Sequence, residues 1–213
     1  MKRLIREEEI RKASENNHKI RIDNDTVITP SARDLAKELG VELFSDDLKF
    51  ELSAQSAKVI SKWPFHKVAI ASDHGGFYLK EELKEIIRKK DFMLIDLGPA
   101  NPQPCDYPDF AFKVALHVAE GKADCGIVID SVGIGSAIAA NKVEGILAAK
   151  CNNATEAQSA REHNYANILT MGSKIIGINI AKDIALAFLS TPGGEDRHKK
   201  RVAMILDFEK KRK

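Results

Sequence analysis

From Lys67 onward, short apolar runs alternate with stretches of helical period, the pattern of parallel strands joined by crossover helices. KVAIAS (67–72), FMLIDL (92–97), CGIVID (125–130), ILAAK (146–150) and ILTMG (168–172) read as five strands. They are apolar at odd and even positions alike, which predicts strands covered by helices on both faces. Leu79, Leu83, Ile86 and Ile87 share one face of the first intervening helix. Similar stripes come from Ala111, Val114, Ala115 and Val118, and from Ile178, Ala181, Ile184, Ala185 and Phe188. A last helix over 196–211 sets Val202, Ile205 and Leu206 against a basic opposite side. The expected fold of residues 66–213 is therefore α/β, a five-stranded parallel, doubly wound, Rossmann-like sheet.

Residues 1–44 read differently and are expected to form a small accessory segment. A charged helix is predicted near 2–15, then strand-like pieces in HKIRID and TVIT, then a helix in PSARDLAKELG. Thr29 is the expected N-cap of that helix, Pro30 suits its first position, and Gly40 is its stop. The stretch 45–65 reads as a linker, and the sequence shows no internal repeat.

Composition narrows the function. The chain has 213 residues, 44% hydrophobic and 30% charged, as expected of a soluble globular protein. The opening MKRLIREEEIRKAS lacks a secretory apolar stretch, and no run reaches the roughly 18 residues of a membrane span, so a cytoplasmic protein is expected. A net charge of +2 supplies no global field for nucleic acid, although RHKKRVAMILDFEKKRK is locally basic. Cys105, Cys125 and Cys151 are odd in number and lack CxxC spacing, against a disulfide framework or structural zinc, and at least two read as buried, inert thiols.

In open α/β sheets ligands bind beyond the carboxyl ends of the strands. Ser72-Asp73-His74-Gly75-Gly76 follows the first strand there, although a capping Asp and a surface His explain it as well as a site does. After the third strand, Asp130-Ser131-Val132-Gly133-Ile134-Gly135-Ser136 leads into a helix whose free N–H groups suit an anion; a tight turn for packing is the competing reading. The loop is neither GxGxxG nor a Walker loop. His163 and Asn164 end the helix after the fourth strand, where a His can move protons near pH 7 or simply complement a helix terminus. Arg197 and Arg201, at i and i+4, share a face and suit a phosphate, unless they form a solvated basic face.

Together SDHGG, CDYPDFA, GIGSAIAANKVEGILAA, SAREHNYANILTMGS and GGEDRHKKRV resemble, in order and separation, the type B ribose-5-phosphate isomerases and their galactose-6-phosphate isomerase relatives. The resemblance covers about 66–205. It implies an aldose–ketose isomerase of a phosphosugar, without metal or organic cofactor. Asp73 and His74 would contact the sugar and Tyr107 line the pocket. His163 would assist ring opening. Asn164 and the loop of Ser131, Gly133, Gly135 and Ser136 would hold the substrate and the enediolate oxygens. The family is dimeric with composite sites, which implies a homodimer or a dimer of dimers in which Arg197 and Arg201 reach the phosphate across the interface.

The family's customary base is a cysteine at the end of the third strand or a glutamate six positions on, and here those positions hold Asp130 and Ser136. Asp130 is the expected base, its pKa lifted by a dry pocket. Three other readings stand beside it. Asp130 caps the following helix, the substrate differs from ribose 5-phosphate, or the chain is a catalytically silent phosphosugar-binding or scaffold protein. A nucleotide-binding regulator of flavodoxin type is disfavoured, because no flavin loop is visible. IDNDTVITPSARDLAKELGVEL resembles a segment of bacterial microcompartment-operon proteins, which implies shell or cargo partners for residues 1–44 and packaging inside a microcompartment.

Overall fold

The computed structural model describes residues 3–16, 18–22, 26–45 and 52–211, in two compact units divided after Glu51.

The first unit contains β1 (Arg3–Ile5), α1 (Glu7–Asn16), β2 (Lys19–Ile22), β3 (Thr26–Ile28), α2 (Pro30–Glu38) and β4 (Glu42–Ser45). The helix expected from residue 2 starts only at Glu7: Leu4 and Ile5 are taken by a parallel ladder with β3, and Glu9 accepts from the Arg6 N–H at 3.0 Å, closing the start of α1. Thr29 caps α2 by accepting from Ala32 N–H, with Pro30 at the first helical position. Gly40 follows the helix at φ +64°, the left-handed value a stop residue needs.

The unit also holds a repeat that the sequence hides. β1 pairs with β3 and β2 with β4, both parallel, and the partner is 23 residues ahead each time, Arg3 with Thr26 and Lys19 with Glu42. Turn bonds repeat at the same offset, His18 N–H to Ala13 O and Val41 N–H to Ala36 O. Two strand–helix–strand halves thus lie side by side around a core that includes Ile5, Ile10, Ile20, Leu35 and Val41.

The second unit begins with α3 (Ala54–Ile60), within the stretch expected to be a linker. Then follow β5 (Lys67–Ser72), α4 (Phe77–Arg88), β6 (Met93–Asp96), α5 (Tyr107–Ala119), β7 (Cys125–Asp130), α6 (Ile134–Ala140), β8 (Ala148–Lys150), α7 (Ala154–Asn164), β9 (Ile168–Gly172), α8 (Ile178–Ser190) and α9 (Asp196–Lys210). The five strands form one all-parallel sheet of order β6-β5-β7-β9-β8. β6 and β8 are shorter than their apolar runs because an edge strand finds a ladder partner on one side only.

Alternate residues of each inner strand feed opposite cores. Ile70, Ile127, Ile129 and Leu169 pack under α4, α7 and α8, and Ala69, Ala71 and Val128 pack under α5 and α6. In α9 the buried residues are His198, Val202, Ala203 and Leu206; Ile205, expected on the side of Val202 and Leu206, is 55% exposed. The chain leaves β5 toward β6 and returns to β7 on the other side, so a crevice opens beyond the carboxyl ends of β5 and β7.

Candidate active site

Two loops meet at that crevice. Asp73, just past β5, is buried and is fixed at both ends: its N–H donates to Ile129 O at 3.0 Å and its Oδ1 accepts from Gly76 N–H at 2.9 Å, at the start of α4. His74 is exposed. Its Nδ1 lies 3.0 Å from Cys105 O and 3.2 Å from Cys105 N, so the backbone grips that nitrogen and leaves Nε2 for a ligand. Ser131 Oγ lies so close to Gly75 that an added Cβ would meet it at 2.6 Å, and Ser173 Oγ–H donates to Gly75 O.

The loop after β7 is organised around Asp130, which is 5% exposed. Oδ1 accepts from Val132 N–H (2.7 Å) and Gly133 N–H, and Oδ2 from Ser136 N–H (3.0 Å) and Ser136 Oγ–H (2.6 Å). A carboxylate has about four acceptor positions, and all are filled. Three of the donors are fixed backbone groups; only the Ser136 hydroxyl can rotate away. Gly133 takes φ +86°, and its carbonyl accepts from Thr170 Oγ1–H at 2.7 Å. Tyr107, the first residue of α5, lies over Gly135, where an added Cβ would meet its ring at 2.6 Å.

A second cluster forms where α7 ends and α9 begins. Asn153 caps α7 through Glu156 N–H, and the helix stops at Tyr165 in the left-handed region (φ 53°) directly after His163 and Asn164. Tyr165 Oη–H donates to Gly194 O (2.5 Å) and Gly194 N–H donates to Glu162 O, tying this end to the segment before α9. The His163 and His198 rings lie 4.5 Å apart, and Arg197 Nε–H donates to His198 Nε2 at 3.2 Å. Burial, then the charges of His163, Arg197 and Arg201, hold the His198 pKa below its ordinary value, against Glu195. Arg197 also pairs with Glu195, while Arg197 and Arg201 are exposed.

Beneath this cluster Arg161, 3% exposed, donates to Ala166 O and Thr191 O and faces the Phe65 ring at 4.3 Å; burial pushes its pKa down to about 10. Among the described residues, no hydrogen bond or ion pair joins the two clusters. The sequence reading missed His198, Tyr165 and the Cys105 backbone. His198 stood beside Arg197 in a quoted motif, whereas the other two act through backbone partners that leave no side-chain signature. Burial raises the pKa of all three cysteines, to about 11 at Cys151, so none has the lowered pKa of a reactive thiol.

The family model described as Ribose/Galactose Isomerase matches residues 68–205. The ribose-5-phosphate isomerase B of Escherichia coli is 40% identical over 146 residues, 68% of this chain and 98% of that protein. The Clostridium thermocellum ribose-5-phosphate isomerase B structure superposes with a TM-score of 0.68 at 45% identity, covering 69% of this chain and 99% of that one. The Mycoplasma genitalium enzyme, solved with bound ribulose 5-phosphate, gives 0.65 at 39% identity, covering 68% and 97%.

Proposed function

The chain belongs to the ribose/galactose isomerase family, and from that premise we propose that it interconverts an aldose and a ketose phosphosugar of the ribose 5-phosphate type through a cis-enediolate. The observation that carries the reading is the interlock of the β5 and β7 loops at the switch crevice, with Tyr107 over Gly135 and His74 Nε2 free. There Asp73, His74, Tyr107, Ser131, Gly133, Gly135 and Ser136 surround the sugar. His163 and Asn164 serve ring opening and the enediolate oxygens, and Arg197 and Arg201 take the phosphate.

Asp130 is the base in this reading, under a condition set by its geometry. Oδ2 receives the C2 proton and returns it to C1 only when the Ser136 hydroxyl turns away, because the other donors are fixed. The two clusters complete one site if a second copy supplies the α9 arginines. Exposed Phe112, Leu116, Ile134 and Ile138 on α5 and α6 offer an apolar face beside the loop for such a homodimer or dimer of dimers.

The first unit, with its own core and repeat, is a docking module in this reading, for shell or cargo proteins of a microcompartment within the cytoplasm. Co-sedimentation with shell proteins should be lost on deleting residues 1–51, and retention refutes the docking role. For the enzyme, a panel of phosphopentoses and phosphohexoses is assayed with wild type and Asp130→Asn. Turnover in the first and loss in the second is expected, and full activity in the variant removes Asp130 as base.

A further inference from the structure

The helix α3 lies outside the residues matched by the family model, yet it is built into the face of α9 opposite the arginines. Ile60 shares a buried cluster with Tyr165, Val202, Ala203 and Leu206. Ser53, the N-cap of α3, and buried Ser56 both donate to Asp207 Oδ1 of α9 at 3.3 Å, and Lys210 Nζ reaches Ser53 Oγ at the same distance. Past α3, Trp63 lines a cavity of about 350 Å³ with Tyr165, with Gly193 and Gly194 of the segment that leads into Arg197, and with Lys199 in the first turn of α9. The same short piece of chain therefore packs against α9 from Val202 to Lys210 and lines a cavity with the turn before that helix.

We infer that residues 52–63 are a clasp that positions Arg197 and Arg201, so that the affinity of the site for phosphate depends on a segment outside the isomerase module. This rests on the assignment of those two arginines to the phosphate. Asp207 is the positioning residue at the far end of the clasp and Ile60 the one at the near end. Neither is placed against the sugar.

The test uses the full-length protein, with ribose 5-phosphate as substrate and inorganic phosphate as competitive probe. Asp207→Ala and Ile60→Ala should each raise KM and the phosphate inhibition constant together, about fivefold, with kcat within about twofold, the signature of lost uniform binding. Asp207→Asn keeps the acceptor oxygen and should restore wild-type values. Trp63 is the only tryptophan, so phosphate titration should change its emission in wild type and less so in Asp207→Ala. Unchanged KM and inhibition constants in the clasp variants, or a fall in thermal stability alone, overturns the positioning role. Arg197→Ala and Arg201→Ala separate the two failures. If they too leave phosphate affinity unchanged, the phosphate assignment falls and the clasp's role with it; if they weaken it while the clasp variants do not, only the clasp is refuted.

Discussion

The loops after β5 and β7 and the cluster at the ends of α7 and α9 are both polar, but they meet solvent in opposite ways. In the first, Asp73 and Asp130 are buried; Asp73 Oδ1 accepts from Gly76 N–H, and every acceptor position of the Asp130 carboxylate is filled by the chain's own N–H and hydroxyl groups. In the second, Arg197 and Arg201 stand exposed beside a His198 whose pKa is held below its ordinary value by burial and the neighbouring cations. A self-satisfied loop is rigid and prepared before substrate arrives; two exposed guanidinium forks, of which Arg197 leans on Glu195 through Nε, still present N–H donors to an anion. The contrast divides the labour of the proposed site into chemistry in the loops and phosphate capture on α9.

Asp130→Ala should break the loops most severely. It strands three N–H groups and the Ser136 hydroxyl, each worth about 1–3 kcal/mol when unpaired, so denaturant unfolding should show a loss of at least about 4 kcal/mol together with loss of activity. The paired Arg197→Ala, Arg201→Ala variant should unfold within about 0.5 kcal/mol of wild type while KM rises about 10- to 100-fold, as expected for lost charge-assisted bonds. Were the arginine variant to lose as much stability as the Asp130 variant, the division between the regions would be wrong.

Gly135→Ala sharpens the boundary of the prepared loop. Its methyl group would meet the Tyr107 ring at 2.6 Å, so a stability cost of about 1–3 kcal/mol is expected, relieved when Tyr107→Ser is added. The smallest effect concerns pH. A lowered folded pKa means that His198 binds fewer protons folded than unfolded. Its contribution to stability is complete above about pH 6.5 and is lost as pH falls through the lowered folded value. An NMR titration of His198 should give a midpoint below 6.5 that moves upward when inorganic phosphate binds beside it.

How much of this the sequence revealed follows from where each interaction partner sits. β5 and β7 were read with the bounds they have, because inner strands are apolar on both faces. The three residues of β1 were absorbed into a helix since no local pattern announces a partner 23 residues away. The repeat leaves little trace in the sequence because the two halves match in hydrogen bonding and ladder register more than in residue type. α3 carries no helix signal of its own, because Ala57 and Ile60 make too short a stripe and its partner α9 lies about 150 positions on. Asp73, His74, the Asp130–Ser136 loop, His163, Asn164 and the two arginines are legible as loop and helix-end motifs, whereas the parts of His198, Tyr165 and the Cys105 backbone are not. That Asp130 has no free acceptor position is not legible either, since its donors are mostly backbone N–H groups.

The most direct measurement of the central claim follows ribose 5-phosphate with the wild-type protein in D₂O by NMR. Ribulose 5-phosphate should form with solvent deuterium at C1, because the proton taken from C2 exchanges while the Asp130 carboxyl carries it, and both should be lost in Asp130→Asn while phosphate still binds. Saturable binding of the phosphosugar by the wild type with neither isomerisation nor deuterium exchange would contradict that claim.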